Sequence, residues 1–155
     1  MPAAEQIVID ALQASVSLHM TAIEHYQTLS AHLGRWGYSK LGEKYAADAE
    51  EERGHLKKCL DRLEYYDVQP NYEHAEPSWP RHDWEGIVSA NYELESAAAQ
   101  VERANVAAAR SVGDEQSALV FAELLEGSEG SIREIEAIQK VLDQIGVDNY
   151  LANQV

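Results

Sequence analysis

Apolar residues recur along this chain in steps of three and four through four long stretches. In the first, Ile9, Leu12, Val16, His19, Ile23, Tyr26, Ser30 and Leu33 fall on one face of a helix that ends at Gly34–Gly37. The second runs from Ser39 to Tyr66, with Leu41, Tyr45, Asp48, Glu52, His55 and Cys59 on one line and Leu56, Leu60 and Leu63 beside it. The third covers His82 to Ser111, carries Ile87, Leu94, Ala98 and Val101, and stops at Gly113. The fourth starts near Glu115 behind Asp114, a suitable N-cap, and its stripe is Phe121, Leu124, Ser128, Ser131, Ile135, Ile138, Leu142 and Ile145. Gly146 closes it, and residues 147–153 suit a short fifth helix. No alternating pattern predicts a strand.

Between the second and third stretches, residues 67–80 hold three of the four prolines, so this segment reads as a long crossover and not a tight turn. Two helical hairpins joined by one long connection predict an all-α four-helix bundle. At 155 residues the chain suits a single domain spanning 1–155.

Charge narrows the partners. With 27 acidic and 12 basic residues the formal net charge is −15, against nucleic acid or a membrane surface as partner, since both need clustered Lys or Arg. An acidic surface or cavity suits cations instead. The lone Cys59 gives no disulfide framework and fits a reducing compartment. No apolar run reaches the ~18–20 residues of a membrane span, and no basic-then-apolar leader opens the chain. The expected location is the cytoplasm.

The informative residues are polar ones on stripes that should be apolar. His19 interrupts the first, Glu52 and His55 the second, and Glu95 lies beside Leu94 on the third. A Glu-x-x-His pair on one helix points both side chains the same way, so they can share a metal ion. His19 precedes Glu52 by 33 residues and His55 by 36, and Glu95 precedes Ser128 and Ser131 by the same intervals. The two hairpins thus read as a weak internal repeat. Such a repeat sets position 19 opposite 95, and 52/55 opposite 128/131, the six positions of a carboxylate-bridged di-metal site. His25 and His32 lie off the main stripe and read as surface or interface residues.

Several short matches in constant register carry a family resemblance: Ala22-Ile23-x-x-Tyr26, Glu52-x-x-His55, Pro70-Asn71, Leu94-Glu95, Glu129-Gly130 and Gly146-x-x-Asn149-Tyr150-Leu151. Over nearly its whole length the chain resembles bacterioferritin. The resemblance implies a ferritin-like bundle, assembly of two dozen subunits into a hollow cage, Fe(II) oxidation at an intrasubunit di-iron centre, and ferric mineral storage. Many members also bind haem between paired subunits through a methionine.

The ligand set is only partly kept. His19 stands where the family has glutamate; Glu52, His55 and Glu95 agree; Ser128 and Ser131 replace the second Glu-x-x-His. The expected metal ligands are His19, Glu52, His55 and Glu95, holding iron or another divalent metal nearer His19 and His55. No catalytic residue is assigned, and no role for Glu126 or Glu129. Arg53 takes the place of the haem-ligating methionine, so haem is not expected. The leading expectation is an iron-binding, iron-storing cage subunit with a partly degenerate ferroxidase centre, in a homo-oligomer or beside a ligand-complete partner subunit. The alternatives are a metal-dependent oxidase or peroxidase with a mononuclear or asymmetric His/Glu centre, and a structural bundle without metal chemistry.

Overall fold

In the computed structural model, which describes residues 5–155, α1 spans Gln6–Trp36, α2 Ser39–Tyr65, α3 Trp84–Ser111, α4 Glu115–Ile145 and α5 Val147–Ala152. Among the described residues there is no strand. The helix ends follow local chemistry. Gly37 adopts φ +105°, a left-handed cap open to glycine, and Tyr38 N–H returns to Leu33 C=O. Asp83 and Asp114 cap α3 and α4, accepting from Gly86 N–H and Ser117 N–H. Asp114 also takes the Ser117 and Tyr66 hydroxyls and Arg62.

Each helix lies antiparallel to its neighbours. On α1 and α2, His19 meets Glu52 and Ser30 meets Gly42; on α1 and α3, Ser15 meets Glu102 and His25 meets Asn91. The connection between α2 and α3 therefore travels the length of the bundle along α1. Gln13 holds Gln69 and Asn71, Thr21 holds Ala75, Glu24 holds His74, and His32 packs on Trp79. This is the all-α bundle with a long crossover that the hydrophobic pattern predicts. α5 folds back across one end, where Lys40 N–H reaches Gln154 C=O and Tyr150 stacks on Trp84.

The interior is split. One apolar cluster, including Leu29, Leu33, Leu41, Trp84, Ile87 and Leu142, fills the α5 end. Another, including Val8, Leu12, Val16, Leu63, Phe121 and Leu124, fills the opposite end. Between them lies a buried polar belt of Ser15, His19, Glu95, Glu102, Asn105 and Ser128.

Two sequence expectations need correction. His25 and His32 are not surface residues: they are 2% and 8% exposed. His25 faces Asn91 of α3, and the crossover lays Trp79 and His82 over His32. On α3 the buried line is Ile87, Asn91, Glu95, Glu102, Asn105 and Ala109, with Leu94, Ala98 and Val101 only partly covered. The stripe read from the apolar residues was rotated by one position.

The capping analysis makes a direct test. Asp114→Ala should lower stability by about 1–2 kcal/mol, because it removes a cap together with its hydroxyl and guanidinium partners. Denaturant unfolding of the variant against the unaltered chain measures this.

Candidate metal centre

At the middle of the bundle the polar belt gathers three donors. His19 Nδ1 lies 2.7 Å from Glu52 Oε2, and His55 Nδ1 lies 3.7 Å from the same oxygen. One ligand atom from each of His19, Glu52 and His55 falls within 4.8 Å of the others. The imidazoles meet edge to face, centroids 5.5 Å apart. One helical turn separates Glu52 from His55, and the antiparallel crossing of α1 brings His19 to them. Two imidazoles and a carboxylate are borderline donors that suit first-row divalent ions, iron included.

Glu95 is set apart from this trio. Tyr26 donates its phenol proton to Glu95 Oε1 at 2.5 Å. A cavity of about 10 Å³ is lined by His19, Glu52, Glu95 and Ser128, room for a single water or ion. Of the four expected ligands, His19, Glu52 and Glu95 border this cavity, while His55 joins His19 and Glu52 beside it and lines the open groove on the α4 side. Ser128 and Ser131 leave the α4 side without a strong donor. Glu126 is exposed, and Glu129 turns to Arg103 at 3.5 Å, so neither replaces what the serines lack.

Where a bulkier residue at 131 would sit, the surface is open. A groove of about 470 Å³ runs beside His55, Gly127, Gly130 and Ser131. Gly127 lets the His55 ring pack closely: a Cβ there would stand 3.0 Å from His55 Cε1, so the ring would have to shift by a few tenths of an ångström. Arg53, at the expected haem-ligand position, is engaged within the chain by Glu50 and Gln27. Met20 packs against the apolar cluster away from α5.

Sequence reading missed Glu102. It is 0% exposed and accepts from Ser15 Oγ at 2.9 and 3.0 Å, with Asn105 Nδ2 at 3.5 Å. His19 Nε2 points at it from 3.5 Å and has no closer partner. The signal was present, since Glu102 follows Glu95 by seven residues, two helical turns, and so shares its face. Cys59, also on the expected α2 line, is fully buried, and burial pushes its thiol far above the ordinary range. In the metal-free protein it stays protonated, packed within the apolar cluster away from α5.

Electrostatics follow from this enclosure. Burial alone would lower the His19 pKa, but Glu102 and Glu52 on its two sides outweigh it and raise it to about 9. Burial would raise Glu52, yet the two histidines hold it down at about 2. Burial, then the nearby Glu52 charge, pushes Glu95 up to about 8. The metal-free cluster is thus an imidazolium held between carboxylates, with Glu95 neutral at pH 7.

These shifts set a stability profile. Glu95 and His19 both bind protons more tightly in the folded state, so their contributions fade as pH rises through about 8 and 9. The Glu52 contribution runs the other way and is lost as pH falls toward about 2. Taken over these three groups, the melting temperature of the metal-free protein should therefore be highest at about pH 4–5 and fall by several degrees toward pH 9. In Glu95→Gln the decline should be shallower, by calorimetry across that range.

Comparison with known proteins agrees with the geometry. The ferritin-like domain family matches residues 9–145. The chain is 27% identical to a bacterioferritin of Brucella melitensis biotype 1 over 94% of this chain and 91% of the relative. It is 25% identical to a bacterioferritin of Rhodobacter capsulatus, over 92% and 89%, and 24% identical to one of Mycobacterium avium, over 96% and 93%. With the bundle, the crossover and the Glu52/His55 pair in place, the chain belongs to the ferritin family, as a protein of the ferritin-like domain.

Proposed function

We propose that this chain is an iron-binding, iron-storing subunit of a bacterioferritin-like cage, folded as one domain over 1–155, whose ferroxidase centre retains one metal position. The reading rests on one observation above all. His19, Glu52 and His55 converge within 4.8 Å at the centre of a family bundle, while Ser128 and Ser131 face them from α4. Iron enters as substrate and is held by His19, Glu52 and His55, with Glu95 across the cavity as a fourth donor.

Charge supports a single ion. The retained donors include two carboxylates, Glu52 and Glu95, and one divalent ion balances them. Glu102 adds a third carboxylate that the ligand count from sequence left out, but it is turned to Ser15 and His19. A second divalent ion would still carry uncompensated charge in a buried centre, which is unfavourable at low dielectric. Oxidation is accordingly slow in the chain alone, and a ligand-complete partner subunit in a mixed cage would supply the fast reaction. The serines and the self-neutralising His19 favour this shell role over an independent oxidase.

Anaerobic Fe(II) titration should show one tight ion per subunit, followed by slow oxidation in air. His55→Ala should weaken binding by more than the roughly 10–100-fold typical of losing an outer partner of a metal ligand. Ser131→Ala should change it little. Because the ion displaces the His19 proton and ionises Glu95, affinity should rise about a hundredfold per pH unit up to about pH 8, and about tenfold per unit from there to about pH 9. Two rapidly oxidised ions per subunit would overturn the reading.

Assembly has its own test. Tyr65 and Tyr92 are 50% and 37% exposed, and Leu119 and Val141 are 50% and 39% exposed, apolar surface suited to contacts between copies. Sedimentation should show a large oligomer built from dimers, and a monomer at micromolar concentration would exclude a cage.

A further inference from the structure

A neutral imidazole has two nitrogens and one proton, so it ligates a metal only through the nitrogen that the proton leaves bare. His19 presents each nitrogen to a carboxylate. Nδ1 lies 2.7 Å from Glu52 Oε2, inside the donor trio, and Nε2 faces Glu102 Oε1 at 3.5 Å. The two carboxylates therefore draw the proton in opposite directions. Held on Nδ1, it closes a bond to Glu52 and blocks the metal position. Held on Nε2, it leaves Nδ1 bare beside the oxygen with which it would share the ion.

Glu102 is placed to hold the second arrangement. Its side chain is 0% exposed, and both oxygens accept from Ser15 Oγ, one turn before His19 on α1. Asn105, one turn further along α3, secures the hydroxyl: its Nδ2 reaches Ser15 Oγ at 3.0 Å and Ala11 C=O at 3.1 Å. Among the described residues no Lys or Arg pairs with Glu102, and the cation beside it is His19. His19 Nε2 is itself buried without a bonded partner. At 3.5 Å it stands about half an ångström beyond an ordinary N–H···O bond to Glu102.

His55 lacks such a partner. It also turns Nδ1 to Glu52 Oε2, but its Nε2 lies beside the open groove, 4.0 Å from the exposed Glu51. A carboxylate buried with only a hydroxyl and an amide to solvate it is a costly core residue, and an apolar side chain would fill the place more cheaply. What the carboxylate adds is an anionic acceptor for one imidazole.

We propose that Glu102 is a positioning residue of the metal centre, which holds the His19 proton on Nε2 and so keeps Nδ1 free as the ligating atom. The proposal rests on the iron-binding reading. On binding, the doubly protonated His19 gives up its Nδ1 proton and keeps the one shared with Glu102. An anionic outer partner also makes the imidazole a stronger donor. Ser15 and Asn105 act one step further back, by fixing the carboxylate.

Histidine labelled with 13C and 15N reports the proton position by magic-angle-spinning NMR of the sedimented protein, with His19 assigned by the signals lost in His19→Gln. In the metal-free protein at pH 10, above the His19 pKa of about 9, the proton should sit on Nε2. In Glu102→Gln, with folding checked by circular dichroism in the same buffer, the Nε2–H population should fall several-fold in favour of Nδ1–H. With one equivalent of Zn(II) at pH 7, the unaltered chain should show Nδ1 bound and Nε2 protonated. Calorimetry should find Zn(II) held about 10–100-fold more weakly by Glu102→Gln. Should that variant fail to fold, the unaltered chain decides alone. A metal-free proton on Nδ1, Zn(II) on Nε2, or equal affinity in the two chains would overturn the role of Glu102 and leave the iron reading standing. If no divalent ion binds, the iron reading fails, and the metal-free spectra still decide whether Glu102 sets the His19 proton.

Discussion

Everything at the centre of this bundle answers to the cost of enclosing carboxylates. Glu102 and Glu95, the latter held neutral, are drawn into a space where water cannot solvate them, Glu52 lies at its edge, and His19 stands between Glu52 and Glu102 as the compensating cation. From that pairing the rest follows. The apolar core divides into two clusters because the belt between them must be polar. Ser15 and Asn105 face inward because Glu102 has to be given donors. Tyr26 turns its hydroxyl onto Glu95 for the same reason. In the proposed centre a divalent cation would serve the electrostatic purpose that the imidazolium serves here, and the two would compete for it.

The asymmetry of the centre is built into the two hairpins. The α1–α2 hairpin keeps imidazole and carboxylate in close approach. The α3–α4 hairpin brings Glu95 and Glu102 on one helix and serines on the other. Small residues on α4 do more than remove donors. Gly127 makes room for the His55 ring, and Gly130 and Ser131 leave a groove open beside it. The face that lost its ligands is the face through which the centre communicates with solvent.

Much of this was legible in the sequence. Gly37, Asp114 and the prolines of residues 67–80 mark the element ends by chemistry that needs no tertiary context. The intervals between His19, Glu52 and His55 survive because an antiparallel hairpin converts sequence spacing directly into juxtaposition. Glu102 was not found, since one residue turns a helix by about 100° and the scattered apolar positions of α3 left its inward direction ambiguous by that amount. His25 and His32 were misjudged for a different reason. What buries them is a segment of irregular chain laid along α1, and periodicity says nothing about where irregular chain will lie.

The path of that crossover also bears on how the molecule comes to be folded. His19 and Glu52 are 33 residues apart and belong to one hairpin, whereas Ser15 and Glu102 are separated by 87 and Asn105 and Ala11 by 94. Local contacts form early and distant ones wait on closure of a long loop. The donors His19, Glu52 and His55 therefore need only a hairpin to meet, whereas the acidic residues of α3 reach them only once the long loop has closed.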